Sequence, residues 1–367
     1  MKDILFIQFY GDKFHDGVLI LFNGFSDTHK YCKNIGDVIW VDHYKIKTFT
    51  FGSNVKTVYI SSNLIEHTDA SIEWAIKYPQ INFIVGGPCI SIAFSPLIML
   101  PPNIKFTDGS VEQYFNIPDH SQEWGLDISD IENAKSNKLL TFSYSIMTDC
   151  YWSKCIFCNC HYFNNRTRDY IDKKAFDSID FPGIKQVRFN IPAMSRDNLN
   201  NFMSQFYFDP NTRFDFSIRC DKHIYETMDL ILNKLNRTTP NLKINFGLEF
   251  PSNRILQFIN KGVNVEDIFK TVEVLGNHKN INIFSNSIIG WPNLIESDID
   301  ELKYFIDNIG NIYLNSIWKL KCYNGTPSHD IFNDGKQTIF ENKYFYRGYM
   351  PFLSDEAIEL NKIAEKI

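Results

Sequence analysis

Cys150-Tyr-Trp-Ser-Lys-Cys155-Ile-Phe-Cys158 places three cysteines within nine residues. Three thiolates can hold three corners of an iron–sulfur cube and leave the fourth iron without a protein ligand. An open iron is a place for chemistry, so the spacing points to a reaction rather than a staple. Cys160 follows closely, and the other four cysteines (Cys32, Cys89, Cys220, Cys322) are scattered. Secreted disulfide frameworks are small and spread their cysteines, whereas clustered cysteines in a large chain are more often metal ligands. The scattered four read as small buried apolar residues. A structural zinc site is the alternative, but it prefers four ligands, commonly from two separated Cys-x2-Cys pairs. No second pair is present, and only Cys160 or His161 could complete such a site.

The cluster follows an apolar run, Leu140–Ser145. Further runs lie near Gln186–Asn190, Phe214–Arg219, Ile244–Glu249, Ile281–Ile289 and Ile312–Lys319. Helical patterns separate them at about 196–207, 222–235, 265–275 and 296–309. Six strands with intervening helices fit a partial β/α barrel, whose function gathers at the C-terminal strand ends. The cysteines stand after the first such strand, where that rule puts a site.

Upstream, short runs at Ile4–Phe9, Val18–Phe22, Val38–Val41, Val58–Ser61, Ile81–Val85 and Ile104–Phe106 read as strands, with an amphipathic helix over Asn63–Tyr78. They suggest a first open α/β sheet, in which Gly86-Gly87 after a strand would let backbone approach a ligand. The expected layout is a first domain over 1–117, a polar linker over 118–138, a barrel over 139–329 and an aromatic-rich extension over 330–367 ending in a helix.

The chain has 367 residues and a net charge of −6, with no long basic run to advertise nucleic acid. No stretch approaches the roughly 20 apolar residues that cross a bilayer, and no signal-peptide pattern opens the chain. A cytoplasmic location is the default expectation.

A barrel whose first strand runs into three cysteines, with Phe157 before the third, resembles the radical S-adenosylmethionine (SAM) superfamily. The usual C-x3-C-x2-C is C-x4-C-x2-C here. Four further elements are similar to that family's pattern in the right order. They are Ile218-Arg219-Cys-Asp221, Phe246-Gly-Leu-Glu249 with Asn260-Lys-Gly262, Ser287-Ile-Ile-Gly-Trp-Pro292, and Tyr323-Asn-Gly-Thr-Pro327. The resemblance implies that Cys150, Cys155 and Cys158 ligate a 4Fe–4S cluster whose open iron chelates SAM. It implies Phe157 beside the adenine, Arg219 on the cofactor carboxylate and Glu249 on its ammonium or ribose. It further implies Ile289 and Gly290 as backbone near the adenine, and Asn190 near the amino group.

The first domain resembles the Rossmann-like, cobalamin-binding-like domain that precedes many such barrels, through Ser61-Ser62 and Val85-Gly86-Gly87-Pro88. The Asp-x-His-x-x-Gly element that ligates cobalt is missing, and cobalamin is left open. The resemblance implies a radical SAM enzyme acting on a peptide or small natural product, with a flavodoxin- or ferredoxin-type electron donor. C-methylation is expected if cobalamin binds, and epimerisation or cyclisation if not. A metal-stabilised binding module and an electron-carrying iron–sulfur protein are the alternatives from other classes.

Overall fold

The computed structural model describes residues 3–10, 20–22, 32, 35–62, 65–86, 95–96, 99–107, 141–144, 150–158, 186–189, 193–205, 212–234, 241–310, 312–323, 326–332, 338–341 and 345–366. The expected linker at 118–138 lies outside them, as do Gly87, Asn190, Cys160 and His161. The chain divides into two compact units, one of Met1–Ser145, Asp172–Lys185 and Glu341–Arg347, the other of Ile146–Ile171, Gln186–Phe340 and Gly348–Ile367.

The first unit holds strands β1 (Ile4–Tyr10), β2 (Ile20–Phe22), β3 (Asp37–Asp42) and β4 (Thr57–Ser61), then helix α1 (Ile65–Lys77). Strands β5 (Asn82–Gly86), β6 (Ile104–Phe106) and β7 (Thr141–Tyr144) follow. Five of these form a wholly parallel sheet in the order β3-β1-β4-β5-β6. Alternation drives it. Val58 and Ile60 on β4, and Phe83 and Val85 on β5, are buried together with Ile72 and Trp74 of α1. The Asn103 amide donates to the carbonyls of Ala75, Tyr78 and Ile81, closing the C-terminal end of α1 onto the sheet. One expectation is corrected. The Val18–Phe22 run does not join this sheet, because Ile20–Phe22 pairs in parallel with Thr141–Ser143. A three-residue apolar strand carries no mark of which neighbour it will find.

From β1 the chain steps to one side for β3 and returns to the other for β4. The carboxyl ends of β1 and β4, at Tyr10 and Ser61, therefore flank the point where strand order reverses. Open α/β sheets bind ligands at that crevice.

The second unit alternates strand and helix: β8 (Gln186–Phe189), α2 (Arg196–Gln205), β9 (Arg213–Ile218), α3 (Lys222–Lys234) and β10 (Asn241–Glu249). Then come α4 (Asn253–Phe258), α5 (Val265–Gly276), β11 (Ile281–Ile289), α6 (Glu296–Asn308) and β12 (Tyr313–Lys319). A short β13 (Cys322–Tyr323), α7 (Pro327–Ile331) and α8 (Asp355–Lys366) follow. Strands β8 to β12 pair in parallel in chain order, as a partial β/α barrel requires. Every second side chain faces the helices. Phe189, Phe214, Phe216, Leu242 and Ile244 are buried there against Leu199, Phe202, Ile224 and Met228. Phe202 meets Phe189 edge-on at 5.0 Å and Phe216 at 5.7 Å. No helix among the described residues is long and apolar enough to cross a membrane.

The start of α6 is locked to α4 by Asp298. Its carboxylate accepts from Ser252 Oγ at 2.6 Å, Arg254 Nε at 3.1 Å and the Ile295 N–H at 2.9 Å. Burial opposes the charge, but Arg254, Ser252 and the Ile295 N–H outweigh it and hold the carboxyl below its ordinary range. A depressed carboxyl stabilises the fold above its unfolded pKa of about 3.9 and loses that contribution as pH falls through the folded value. Chemical denaturation is therefore expected to show an acid loss below about pH 4 that Asp298→Asn removes. Asp298→Ala should cost about 2 kcal/mol at neutral pH, from the lost cap and charged hydrogen bonds.

Candidate cofactor-binding site

The cysteine loop is pinned from several directions within the second unit. Cys150 forms a parallel bridge with Ala193. Ser153 adopts φ 46°, and its hydroxyl donates to the Cys150 carbonyl. The Ile156 N–H donates to the Ile259 carbonyl at 3.0 Å, and the Ile156 carbonyl accepts from the Ser328 N–H at 2.9 Å. The Cys158 N–H turns back onto the Cys155 carbonyl at 3.2 Å. None of the three cysteines is in a disulfide; Cys155 is buried and the other two half-buried. Burial pushes the Cys155 thiol up, while the Lys261 and Arg219 cations pull it back towards thiolate.

The Asn260-Lys261-Gly262 run after α4 clamps the loop from below. Asn260 takes φ 54°, and its carbonyl accepts from Trp152 Nε1 at 2.7 Å. Gly262 takes φ 67°, and a Cβ there would lie 2.0 Å from Trp152 Cζ2. Gly262→Ala therefore meets both an unfavourable backbone region and the indole. The expected cost is about 3 kcal/mol, read as a lowered melting temperature, with Gly276→Ala, which opens onto empty space, as the tolerant control.

The third member, Lys261, is buried and reaches Glu249 Oε1 at 2.5 Å. Glu249 is itself buried and takes φ 58° at an irregularity in the β10–β11 register. Gly247 makes room for the pair, since a Cβ there would come within 2.1 Å of Glu249 Oε1. Burial opposes the Lys261 charge, yet Glu249 and Cys155 hold its ammonium above the ordinary range. Arg219, at the end of β9, donates to the Lys261 carbonyl and sits 3.4 Å from Asp221. Its guanidinium lies 4.9 Å from the Trp152 ring centre and 5.7 Å from that of Tyr151. The Tyr151 hydroxyl donates to Asp221; burial, then Asp221, pushes its pKa up. Three main-chain turns and one buried ion pair thus converge behind Cys155.

At the end of β11, Gly290 takes φ 88° and its N–H donates to Asn361 Oδ1 at 2.5 Å. Asn361, on α8, returns its amide to the Trp291 carbonyl at 3.1 Å and the Ala357 carbonyl at 2.8 Å. The Ile289 carbonyl accepts from the Leu320 N–H at 2.7 Å. Trp291 is fully buried, donates to the Ile288 carbonyl at 2.8 Å and meets Phe157 edge-on at 6.1 Å. Phe157 also lies 6.0 Å from Lys261 Nζ.

The predicted residues Cys150, Cys155, Cys158, Phe157, Arg219, Glu249, Ile289 and Gly290 are therefore joined in one connected region. Sequence reading did not single out Lys261, Trp152, Trp291 or Asn361. The first three lay inside quoted motifs; nothing in the sequence marks Asn361. Ser61, Ser62 and Gly86 lie in the first unit at the carboxyl ends of β4 and β5. There the Ser62 N–H donates to the Gly86 carbonyl at 2.7 Å, and the buried Ser62 hydroxyl bonds Thr68 at 2.7 Å. Ser62 is thus held by its own fold. Among the described residues no trio of His, Cys, Asp or Glu converges closely enough to hold a single metal ion.

No protein-family model matches the chain, and no curated protein matches it in sequence. Solved structures do. The cobalamin-dependent S-adenosylmethionine radical enzyme OxsB with aqua-cobalamin bound superposes with a TM-score of 0.62 at 13% identity, over 100% of this chain and 66% of its own. The chain thus spans just under two thirds of that enzyme's length. The radical S-adenosylmethionine methyltransferase TsrM from Kitasatospora setae, with cobalamin and a 4Fe–4S cluster bound, gives 0.60 at 10% identity, over 99% of this chain and 85% of its own. The fold is that of these two enzymes: a Rossmann-like open sheet followed by a partial barrel.

Proposed function

We propose that the chain is a radical SAM enzyme that reductively cleaves SAM at a 4Fe–4S cluster held by Cys150, Cys155 and Cys158, and modifies an unactivated carbon of a peptide or small natural product. The observation that carries this reading is the set of three cysteines, none in a disulfide, on one pinned loop, with the buried Cys155 facing two cations. When bound, such a cluster supplies a low-potential electron to the sulfonium. The chain's own contribution is orientation, charge and exclusion of water. Lys261 and Arg219 offset the negative charge of the thiolates. Glu249 and Arg219, both buried beside the loop, are the groups able to receive the ammonium and carboxylate of SAM. Phe157 and the Ile289–Gly290 turn supply the apolar edge and backbone for the adenine.

In the first unit, the carboxyl ends of β4 and β5 at Ser61, Ser62 and Gly86, next to the crevice between β1 and β4, are the proposed seat of a corrinoid, which would supply a methyl carrier. A flavodoxin- or ferredoxin-type protein is the proposed electron donor. The test is anaerobic reconstitution with iron and sulfide, followed by reduction with SAM present. Four irons per chain and release of 5′-deoxyadenosine or S-adenosylhomocysteine are expected; one zinc and neither product would overturn the reading. Retention of hydroxocobalamin through gel filtration, seen in the visible spectrum, selects methyl transfer. A protein that retains no corrinoid but cleaves SAM is assigned to hydrogen-abstraction chemistry.

A further inference from the structure

We propose that the inner face of the barrel carries an anion site, formed by Arg188, Arg213 and Lys243 on three adjacent strands, that anchors a carboxylate or phosphate at one end of an elongated substrate. The proposal rests on the barrel being the reaction chamber of the enzyme proposed above.

Barrel interiors are ordinarily filled by bulky branched apolar side chains. Here strand parity places Gln186, Arg188, Arg213, Asp215, Lys243 and Asn245 on the inner face, opposite the buried phenylalanines that pack on the helices. The register sets Arg188 beside Asp215 and Asp215 beside Lys243. At the centre Asp215 is buried, lying 3.4 Å from Arg188 Nε and 3.8 Å from Lys243 Nζ. It also accepts from the Asn245 amide and, at 3.3 Å, from the Gln186 amide. One carboxylate is thus already surrounded by donors, two of them cations, with Arg213 two residues before it on the same face. Arg213 is spent on a neutral partner, the Gln186 amide oxygen at 2.7 Å. Arg188 approaches Asp215 through its Nε, and a guanidinium carries further donors in a planar fork suited to carboxylates and phosphates.

The charge imbalance is felt locally. Burial first, then the repulsion of Arg188 and Arg213, hold the Lys243 ammonium below its ordinary range despite Asp215. An arriving anion would relieve that repulsion. Beside the cations stands an aromatic step. Lys243 Nζ lies 4.3 Å from the Phe284 ring centre, and Phe284 stacks on Tyr313 at 5.1 Å. Tyr313 is more than half exposed although it stands on the inner face. The surface therefore offers a cationic end and an apolar flank.

Arg219, at the cofactor end just past β9, is four residues on from Asp215. At about 3.3 Å per residue the anchor lies roughly 13 Å from the cofactor region. The substrate's charged group and its reacting carbon would be separated by a similar length.

Calorimetry on the full chain, with inorganic pyrophosphate and glutarate as separate probes, tests the site. At least one should bind, and which one does identifies phosphate or carboxylate as the anchored group. Arg188→Gln and Lys243→Met should each weaken binding by about tenfold or more, whereas Asp215→Asn should tighten it. A mere structural plug of the barrel floor would not gain affinity from Asp215→Asn. Binding of neither probe, unchanged binding in Arg188→Gln, or no gain in Asp215→Asn would overturn the proposal. Arg188, with its side chain 31% exposed, carries the test if a deeper variant misfolds. SAM cleavage by the unmodified protein is assayed in parallel, and its absence would sink the enzymatic reading without touching the anion result.

Discussion

Cys155→Ala is expected to yield a protein that cannot be reconstituted to a brown, four-iron form and that releases at least about a hundredfold less 5′-deoxyadenosine than the unmodified chain. Outer-shell partners of metal sites already cost 10- to 100-fold, and a direct ligand costs more. Cys155 is the sharpest of the three because it is the most buried. Cys150→Ala and Cys158→Ala should behave alike. Cys160→Ala should keep its iron, since the reading leaves one iron open. Iron counting and absorbance near the cluster bands check both. Iron lost in Cys160→Ala and kept in Cys155→Ala would reverse the ligand assignment and favour an electron carrier with a fully capped cluster.

The largest stability effect is expected at Lys261. Lys261→Met leaves the Glu249 carboxylate buried, on a strained backbone, with no counter-charge. Breaking a buried pair from one side costs about 3–5 kcal/mol, so the denaturation midpoint should fall steeply. Removing both charges in Lys261→Met/Glu249→Gln should recover part of the loss, because the uncompensated carboxylate is gone. Two losses that simply add would show that the pair is not coupled. The sign in alkali follows from the raised Lys261 pKa. Its contribution is complete below the unfolded value of about 10.4 and disappears only as pH rises through the higher folded value. The pair should therefore hold across the physiological range.

Most strands were legible in the sequence because apolar residues alternate along them. Phe214 and Phe216 flank Asp215, and Leu242 and Ile244 flank Lys243, so period two is plain. The same alternation carried a meaning that was not drawn from it: the intervening residues are cations and amides where a barrel floor is usually apolar. The strand Ile20–Phe22 was legible as a strand but not as a partner of Thr141–Ser143, since pairing is a property of two segments. At the site, the cysteines, Arg219 and Glu249 could be picked out by local pattern. The role of Lys261 could not, because it depends on a twelve-residue reach back to Glu249 through the space left by Gly247. Asn361 lies 71 residues from the Gly290 N–H that it accepts, and no local spacing announces that bond.

Trp152 stands between two of the proposed cluster ligands in sequence, its indole held by the Asn260 carbonyl and flanked by the charges of Arg219 and Lys154. That placement makes it a built-in optical gauge. An absorbing iron–sulfur chromophore on the neighbouring sulfurs would drain the excited indole, so its fluorescence should dim as iron loads and brighten as oxygen strips the centre away. Assembly and decay of the site could then be followed in real time, without substrate and without a label.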